Sequence, residues 1–481
     1  MNNLIHLINT LTAEEEKEVI KTIKRKNQRG DAKNLQLFDY IRKGNIKNLD
    51  RKIYGKPSKN SFYALCNRLQ ENIIEVVAST SFSGETSEEM ECLKLLLSCR
   101  IFFEKRLYKL AVKTLYRSEK QAKNFNLFSI LNEVYHTKIQ YAQFFQTETL
   151  QEIFDQANSN LIAFQNEFQL NMAYAEIEKK LRDYPLQKSQ KLIEQVLSKF
   201  SIHKEQSFTI KSIYQLLVIL SKSAKQQIDY YSILDYAHQL YLISQKQIHL
   251  KEKHKHYYLQ VLSLMANIFF RTQNFEKSLD LIKESENEIR NTKHNSFYIE
   301  DLLLLKSLNF LCTEKLDQAI VLLENTSNNN LKLSLAACHI FKKDYRNAQK
   351  LLLSFNHTDQ WYEQKLDLIW VLKKNIIQLI VYIEMDNVDL VYAHFESIKK
   401  RYRKKLEENG EARIIEFLNL VKTNYDYPEI SENQKLNHQL SVFISENSNT
   451  QIDPLLLGFY AWIKAKIEHK NHYDEFIRLL K

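Results

Sequence analysis

Between Gly84 and Gly410 the chain runs for 325 residues without a glycine, and Pro185 is the single proline in that stretch. Phosphate-cradling loops, dinucleotide fingerprints and nucleophile elbows use glycine, because the backbone there takes positive φ or comes close to a ligand. The stretch is therefore read as excluding all three. Tight β-hairpins also draw on Gly, Asn-Gly or Asp-Gly turns. A glycine-free run rich in Leu, Lys, Glu, Gln and Ile reads instead as helix after helix, joined by short polar turns.

Other scarcities narrow the class further. Cysteine is limited to Cys66, Cys92, Cys99, Cys312 and Cys338, an odd number set among apolar helical residues. They read as reduced core residues, and a cytoplasmic location is the expectation. Long apolar runs are missing: Leu302 to Leu305 and Ile376 to Ile383 fall far short of the about 20 residues a membrane span needs. Met1 to Thr12 has no basic start and breaks its leucines and isoleucines with Asn and His, so no signal peptide is expected.

What is present is ample apolar surface. The 481 residues are 44% hydrophobic and 26% charged, with 26 each of Tyr and Phe, a composition that folds. A single core stops growing at about 250–300 residues, so several domains or a stack of repeated units must carry this length.

Two segments 167 residues apart align without gaps. Ile101, Phe102 and Phe103 with Tyr108, Ala111 and Leu115 match Ile268, Phe269 and Phe270 with Phe275, Ser278 and Ile282. Related frames follow at Phe310, Leu316, Ala319 and Leu323, at Ile340, Tyr345, Ala348 and Leu352, and at Tyr382, Val388, Val391 and Phe395. The pattern is that of a helical hairpin: a small residue lets two helices approach, aromatics fill the wedge, and an aliphatic continues the buried stripe. Helical periodicity also places pairs at Asn166 to Leu197 and Ser207 to Ile243.

These frames resemble the tetratricopeptide repeat, whose pattern sets an aromatic near the end of the first helix, Tyr or Phe at the turn and Ala three positions on. The resemblance covers roughly residues 90–400, lacks the Gly and Trp of the family's first helix, and has uneven spacing. It implies an all-α fold, an irregular TPR-like superhelix of helical hairpins, with a concave face that binds a protein or peptide partner. On that frame the groove residues are Arg100, Phe103 and Glu104, then Asn267, Phe270 and Arg271, then Ile380, Ile383 and Glu384. The alternative for the same positions is a core role for the apolar residues and solvation for the charges. The Lys and Asn clamp with which some family members grip a C-terminal carboxylate is not assembled.

Residues 1–80 differ in carrying Gly30, Gly44, Gly55 and Pro57, with 15 Lys and Arg against 9 Asp and Glu. They read as a small basic helical domain, followed by repeats over 88–406 and a C-terminal helical cap over 407–481. Helices are expected from Thr12, which caps with Glu15, to about Lys26, then over Leu35 to Arg42, Ile46 to Ile53, and from Ser58 to about Ala78. Ser79 to Ser87 reads as the boundary. The fourth helix turns Lys59, Asn60, Tyr63, Asn67 and Arg68 away from its apolar face. After a Gly-Lys-Pro-Ser turn, those residues are candidates for nucleic-acid contact by a helix-turn-helix-like unit. The layout resembles bacterial peptide-sensing regulators that join such a unit to tetratricopeptide repeats. The bland alternative is a docking or capping domain.

Six cations in seven residues at Lys399 to Lys405 spread around a helix and read as solvated. Asn409 to Thr450 reads as short helices and loops, and Pro454 opens a final helix to about Lys470 that caps the stack. His469 and His472, three apart with Glu475 beyond, fail the i, i+4 spacing of a zinc-peptidase helix. No catalytic, cofactor or metal site is expected. The leading expectation is a non-enzymatic interaction scaffold; the second is a nucleic-acid-binding regulator.

Overall fold

A computed structural model of the chain describes residues 2–11, 13–26, 33–45, 48–84, 88–183, 189–202, 208–227, 229–247, 254–290, 296–408, 412–427, 438, 441–442 and 454–480. Thr12, Glu85 to Ser87, Pro185, Gly410 and most of the 428–453 segment, with the expectations attached to them, lie outside that set. The described residues are helical, with no strand among them. The protein is all-α.

The first helices in chain order are α1 (Asn2–Thr10), α2 (Ala13–Lys26), α3 (Lys33–Arg42), α4 (Leu49–Tyr54), α5 (Lys59–Gly84), α6 (Glu88–Glu104), α7 (Tyr108–Asn124), α8 (Phe128–Gln140) and α9 (Leu150–Asp183). There follow α10 (Ser189–Lys199), α11 (Ile210–Gln227), α12 (Tyr231–Lys246), α13 (Lys255–Arg271), α14 (Phe275–Arg290), α15 (Ser296–Cys312), α16 (Leu316–Leu323), α17 (Asn329–Phe341) and α18 (Tyr345–Leu353). The last are α19 (Asp359–Lys365), α20 (Leu368–Glu384), α21 (Val388–Glu408), α22 (Ala412–Asp426), α23 (Pro454–Ile467) and α24 (His472–Leu480). Among the described residues no helix is long and apolar enough to cross a membrane.

The chain forms two compact units, one of residues 1–164 with 357–371 and one of 165–356 with 372–481. They follow neither residue 80 nor residue 406. The first unit takes in α6 to α8 as well as the basic helices, and recovers α19, which packs on α1. A return over such sequence distance leaves no local signal. Within the expected boundary segment Ser79 to Ser87, α5 continues to Gly84, and α6 begins directly after the segment, at Glu88.

In the first unit α2 and α3 lie on α5, burying Leu4, Ile8, Val19, Ile23, Leu37, Phe38, Leu65, Leu69 and Ile73. A second core in this unit, around Cys92, Leu96, Phe103, Leu115, Leu131 and Val134, joins α6, α7 and α8. In the second unit hairpins succeed one another, and their first helices touch in sequence, α11 on α13, α13 on α15, and α15 on α17.

The five aligned frames are five antiparallel hairpins of one construction. In each, three residues separate the helices: α6 from α7, α13 from α14, α15 from α16, α17 from α18, and α20 from α21. The middle residue of each turn is left-handed, with φ of 59° at Arg106, 59° at Gln273, 61° at Glu314, 60° at Lys343 and 55° at Asp386. The next N–H reaches back five residues: Leu107 to the Phe102 carbonyl, Asn274 to Phe269, Lys315 to Phe310, Asp344 to His339 and Asn387 to Tyr382, all at 2.8–3.0 Å. This is the Schellman closure that glycine usually supplies. The absence of glycine therefore does not bar positive φ here: the paired carbonyls and the packed hairpins hold Arg, Gln, Glu, Lys and Asp in it. The expected small residues Ala111, Ser278, Ala319, Ala348 and Val391 are all at 0% exposure, as the close approach of paired helices requires.

Two regions depart from expectation. The pair sought at Asn166 to Leu197 begins earlier, as the 34-residue α9 followed by α10. The final helix stops at Ile467, and a further helix, α24, folds back on it. Its amphipathic span is short, only nine residues, and its buried His472 and Glu475 read as surface from sequence.

Candidate functional site

Most of the residues expected to line a groove are engaged within the molecule, while Glu104 is exposed. Arg100 crosses from α6 to α8, where its guanidinium donates to Glu133 Oε2 at 2.7 Å and Thr137 Oγ1 at 3.1 Å. Phe103 is buried and lies flat on Tyr141, with centroids 3.9 Å apart. Phe270 is buried beside Phe275, and Arg271 stands about equally far from the Tyr230 and Phe270 rings, at 5.9 and 6.0 Å. Asn267 is half-buried, and Ile380 and Ile383 are buried. Glu384 accepts hydrogen bonds from Trp462 Nε1 at 2.9 Å and Lys466 Nζ at 2.8 Å. The last turn of a first helix lies over the turn that closes the hairpin, so its aromatics wedge the two helices together. Phe103 and Phe270 are therefore core residues, a correction to their expected place in a groove.

The α5 residues keep their expected exposure. Lys59, Asn60, Tyr63, Asn67 and Arg68 are all exposed, Tyr63 at 67%. The turn before them is firmly made: Gly55 at φ 73° caps α4, donating to the Arg51 carbonyl, and the Tyr54 hydroxyl donates to the Ser61 carbonyl at 3.0 Å. Gly44 at φ 71° closes α3 in the same left-handed conformation, so glycine serves both turns. Further along the same helix Glu71 and Glu75 are exposed as well, so the positive face covers its first turns only.

A third surface was not legible beforehand. Between α21 and α22 an open, shallow cleft has Phe395, Ile398, Leu406, Ile415 and Leu418 as its floor and Lys399, Arg403 and Lys422, together with Glu396 and Asn419, at its rim. Arg403 pairs with Glu407 at 2.9 Å and Lys422 with Glu396 at 3.5 Å, both at exposed positions where such pairs are weak and exchangeable. The Lys399 to Lys405 run thus divides. Tyr402 is buried, Arg401, Lys404 and Lys405 face outward with the others, and Lys399 and Arg403 border the cleft. Its opposite wall comes from α22, inside a segment whose polar composition hid a 15-residue helix.

The five cysteines are free and buried, and burial pushes the thiols of Cys99 and Cys338 up to about 12. Thiols held that high are not nucleophiles at neutral pH. Among the described residues no group of three or more His, Cys, Asp or Glu side chains is placed to hold a metal ion. His472 is buried and donates from Nε2 to the Gly458 carbonyl at 2.9 Å, and His469 sits at a left-handed turn with φ of 51°.

One buried charge is unexpected. Lys138 on α8 is at 0% exposure, with Glu119 Oε2 at 2.8 Å, Glu148 bound beside it, and the Tyr116 ring 4.8 Å away. Burial alone would lower the pKa of its ammonium, but hydrogen bonds to Glu119 and Glu148 outweigh that and hold it above the ordinary lysine value. Glu119 also takes Lys123 at 2.7 Å. The network ties α7 and α8 to the segment before α9 and leaves no charge available to a ligand.

No protein-family model matches the chain, and a search of curated proteins finds no relative.

Proposed function

We propose that this chain is a non-enzymatic protein-interaction scaffold, built of tetratricopeptide-like helical hairpins, that binds an acidic peptide or amphipathic helix. The observation that carries this reading is the fivefold recurrence of one hairpin, with the same three-residue turn, the same left-handed residue and the same fully buried small residue. Repeating a unit whose core positions are fixed leaves the outer positions free to serve recognition. The cleft between α21 and α22 supplies the surface: apolar floor for anchors, and cations at the rim for orientation. Its rim carries three cations against Glu396, an excess of positive charge that favours an acidic partner.

The test is a pull-down with the full chain after nuclease treatment, across a salt series, comparing wild type with Ile415→Asp and with Lys399→Glu combined with Arg403→Glu. Protein partners that survive nuclease and are lost from the variants support the reading. Partners retained equally by all three baits would remove the cleft from it, and recovery of nucleic acid alone would overturn it.

A second reading, a nucleic-acid-binding regulator, is favoured by one observation: Lys59, Asn60, Tyr63 and Arg68 stand exposed after a closed turn between α4 and α5. In a mobility-shift assay Lys59→Ala and Arg68→Ala should each weaken binding, with Lys404→Ala as the neutral control. Equal binding by all of them would end this reading.

A further inference from the structure

The charge of α7 lies on a single line. Arg106 in the turn before it, then Lys109, Lys113, Arg117 and Lys120, recur at steps of three or four residues, so they share one face over about 21 Å at 1.5 Å per residue. All five are exposed. The one carboxylate of the helix, Glu119, points the other way and is buried against Lys138 and Lys123. Among the described residues none of the five cations enters an ion pair, so their charge is not neutralised within the molecule.

A solvated charged face would need no further account, but apolar residues stand exposed among these cations. From Glu104 to Leu110 every residue is exposed, with Leu107 at 47%, Tyr108 at 37% and Leu110 at 46%. Leu110 falls on the cation line itself, between Arg106 and Lys113, and Ile101 is 38% exposed at the end of α6. The tip is rigid: the Leu107 N–H closes the turn on Phe102 at 2.8 Å, and the Tyr108 ring stacks on Phe144 at 4.0 Å. No loop has to be ordered for these residues to meet a partner.

We propose that the α6–α7 hairpin docks this tip and cation line on an anionic phospholipid surface. The Lys and Arg side chains would meet the headgroup phosphates and carboxylates, while Leu107, Leu110 and the edge of Tyr108 enter the interface. A nucleic-acid backbone would satisfy the cations equally and leave the leucines in water. A bilayer surface uses both sets, and for that reason is the partner chosen. The chain then adheres to a membrane without spanning it. This surface is separate from the cleft between α21 and α22, and the proposal stands or falls independently of the scaffold reading.

The experiment is co-sedimentation of the full chain with phosphatidylcholine vesicles, plain or carrying about 30% phosphatidylserine, at low and high salt. Wild type is expected to sediment with the anionic vesicles only, and less as salt rises. Lys109→Glu, Lys113→Glu, Arg117→Glu and Lys120→Glu together should lower the partition roughly tenfold or more, and Leu107→Ser with Leu110→Ser several-fold. A set of Lys→Gln and Arg→Gln changes at the same four positions, with an unchanged melting curve, separates lost charge from lost folding. Absence of binding to anionic vesicles overturns the proposal. So does binding that ignores the leucine substitutions while an RNA duplex is held as tightly as the vesicles, since the ridge would then be a general polyanion surface.

Discussion

The Lys138 ammonium lies 2.8 Å from the Glu119 carboxylate, with its side chain fully shielded and that of Glu119 5% exposed. Two charges withdrawn from water are costly to separate, because each is left in a medium that solvates it poorly. Lys138→Ala should therefore lower stability by about 3–5 kcal/mol, the range for breaking a buried pair from one side. Removing Lys138 and Glu119 together, as Lys138→Met with Glu119→Leu, should cost less than the single change. Urea unfolding of the three proteins checks this. A single variant within about 1 kcal/mol of wild type would mean that the pair is solvated in solution, as exposed pairs are.

The hairpin turns give a second expectation. A left-handed residue with a side chain costs about 1–2 kcal/mol, whereas glycine takes that conformation freely but loses about 0.5–1 kcal/mol more in chain entropy on folding. At Lys343, with φ of 60°, replacement by glycine should thus stabilise by up to about 1 kcal/mol, and at Gln273, with φ of 59°, by less, because its side-chain amide also donates to the Leu480 carbonyl at 3.0 Å. Thr272→Gly, one residue before the turn's left-handed position, should destabilise. Thermal melts of Gln273→Gly, Lys343→Gly and Thr272→Gly decide the matter, and a loss in all three would mean that the side chains of the turn contribute contacts of their own.

The same turns define what could be read from sequence. The five frames were legible because an aromatic, a turn and a small residue recur at fixed spacing, and each small residue is fully buried where that spacing places it. Their closure was not, since Arg106 and Glu314 carry no local sign of left-handed backbone; it follows from how the two helices pack. The candidate surfaces divide in the same way. Lys59, Tyr63 and Arg68 were legible because helical period alone separates a polar face from Leu65, Leu69 and Ile73. Phe103 and Phe270 were misplaced because period locates a face but not which neighbour covers it. Ile415 and Leu418 went unnoticed, since the cleft they line exists only once α22 lies beside α21.

Gly458 sits inside α23, where glycine weakens a helix by about 1 kcal/mol relative to alanine. Contact with Phe341 explains it. A Cβ added at Gly458 would stand 2.6 Å from Phe341 Cζ. The ring is buried and hemmed in by His472 at 4.4 Å and Phe476 at 4.9 Å between centroids, which resists its withdrawal. Overpacking of this kind costs about 1–3 kcal/mol, which exceeds the gain in helix propensity. Gly458→Ala should therefore lower the denaturation midpoint. A partial rescue by Phe341→Leu in the same chain would locate the clash, and an unchanged or raised midpoint would show that the ring has room to move.

His472 sets a pH window. Burial drives its imidazole pKa down from 6.5 to about 4, against the opposing effect of the Gly458 carbonyl that accepts its N–H. A base whose pKa falls on folding is protonated more readily when unfolded, so acid favours the unfolded chain. The contribution of neutral His472 is whole above pH 6.5, declines as pH falls through the interval, and is spent by about pH 4. At 1.36 kcal/mol per pH unit the loss between neutrality and pH 5 is about 2 kcal/mol. The carboxylates with depressed pKa, Glu148, Glu176, Glu178, Asp344 and Glu475, keep their contribution above the ordinary carboxylate values and lose it as pH falls from there toward their lowered ones, so pH 5 separates the histidine from them. His339, also lowered by burial, acts in the same direction as His472, and only a variant distinguishes the two. His472→Gln keeps a donor for the Gly458 carbonyl and removes the titration. Urea unfolding at pH 7.5 and pH 5.0 should show the wild type losing about 2 kcal/mol more than this variant between the two conditions. Equal losses would place the acid sensitivity at another group and leave His472 a hydrogen-bond donor without a role in pH response.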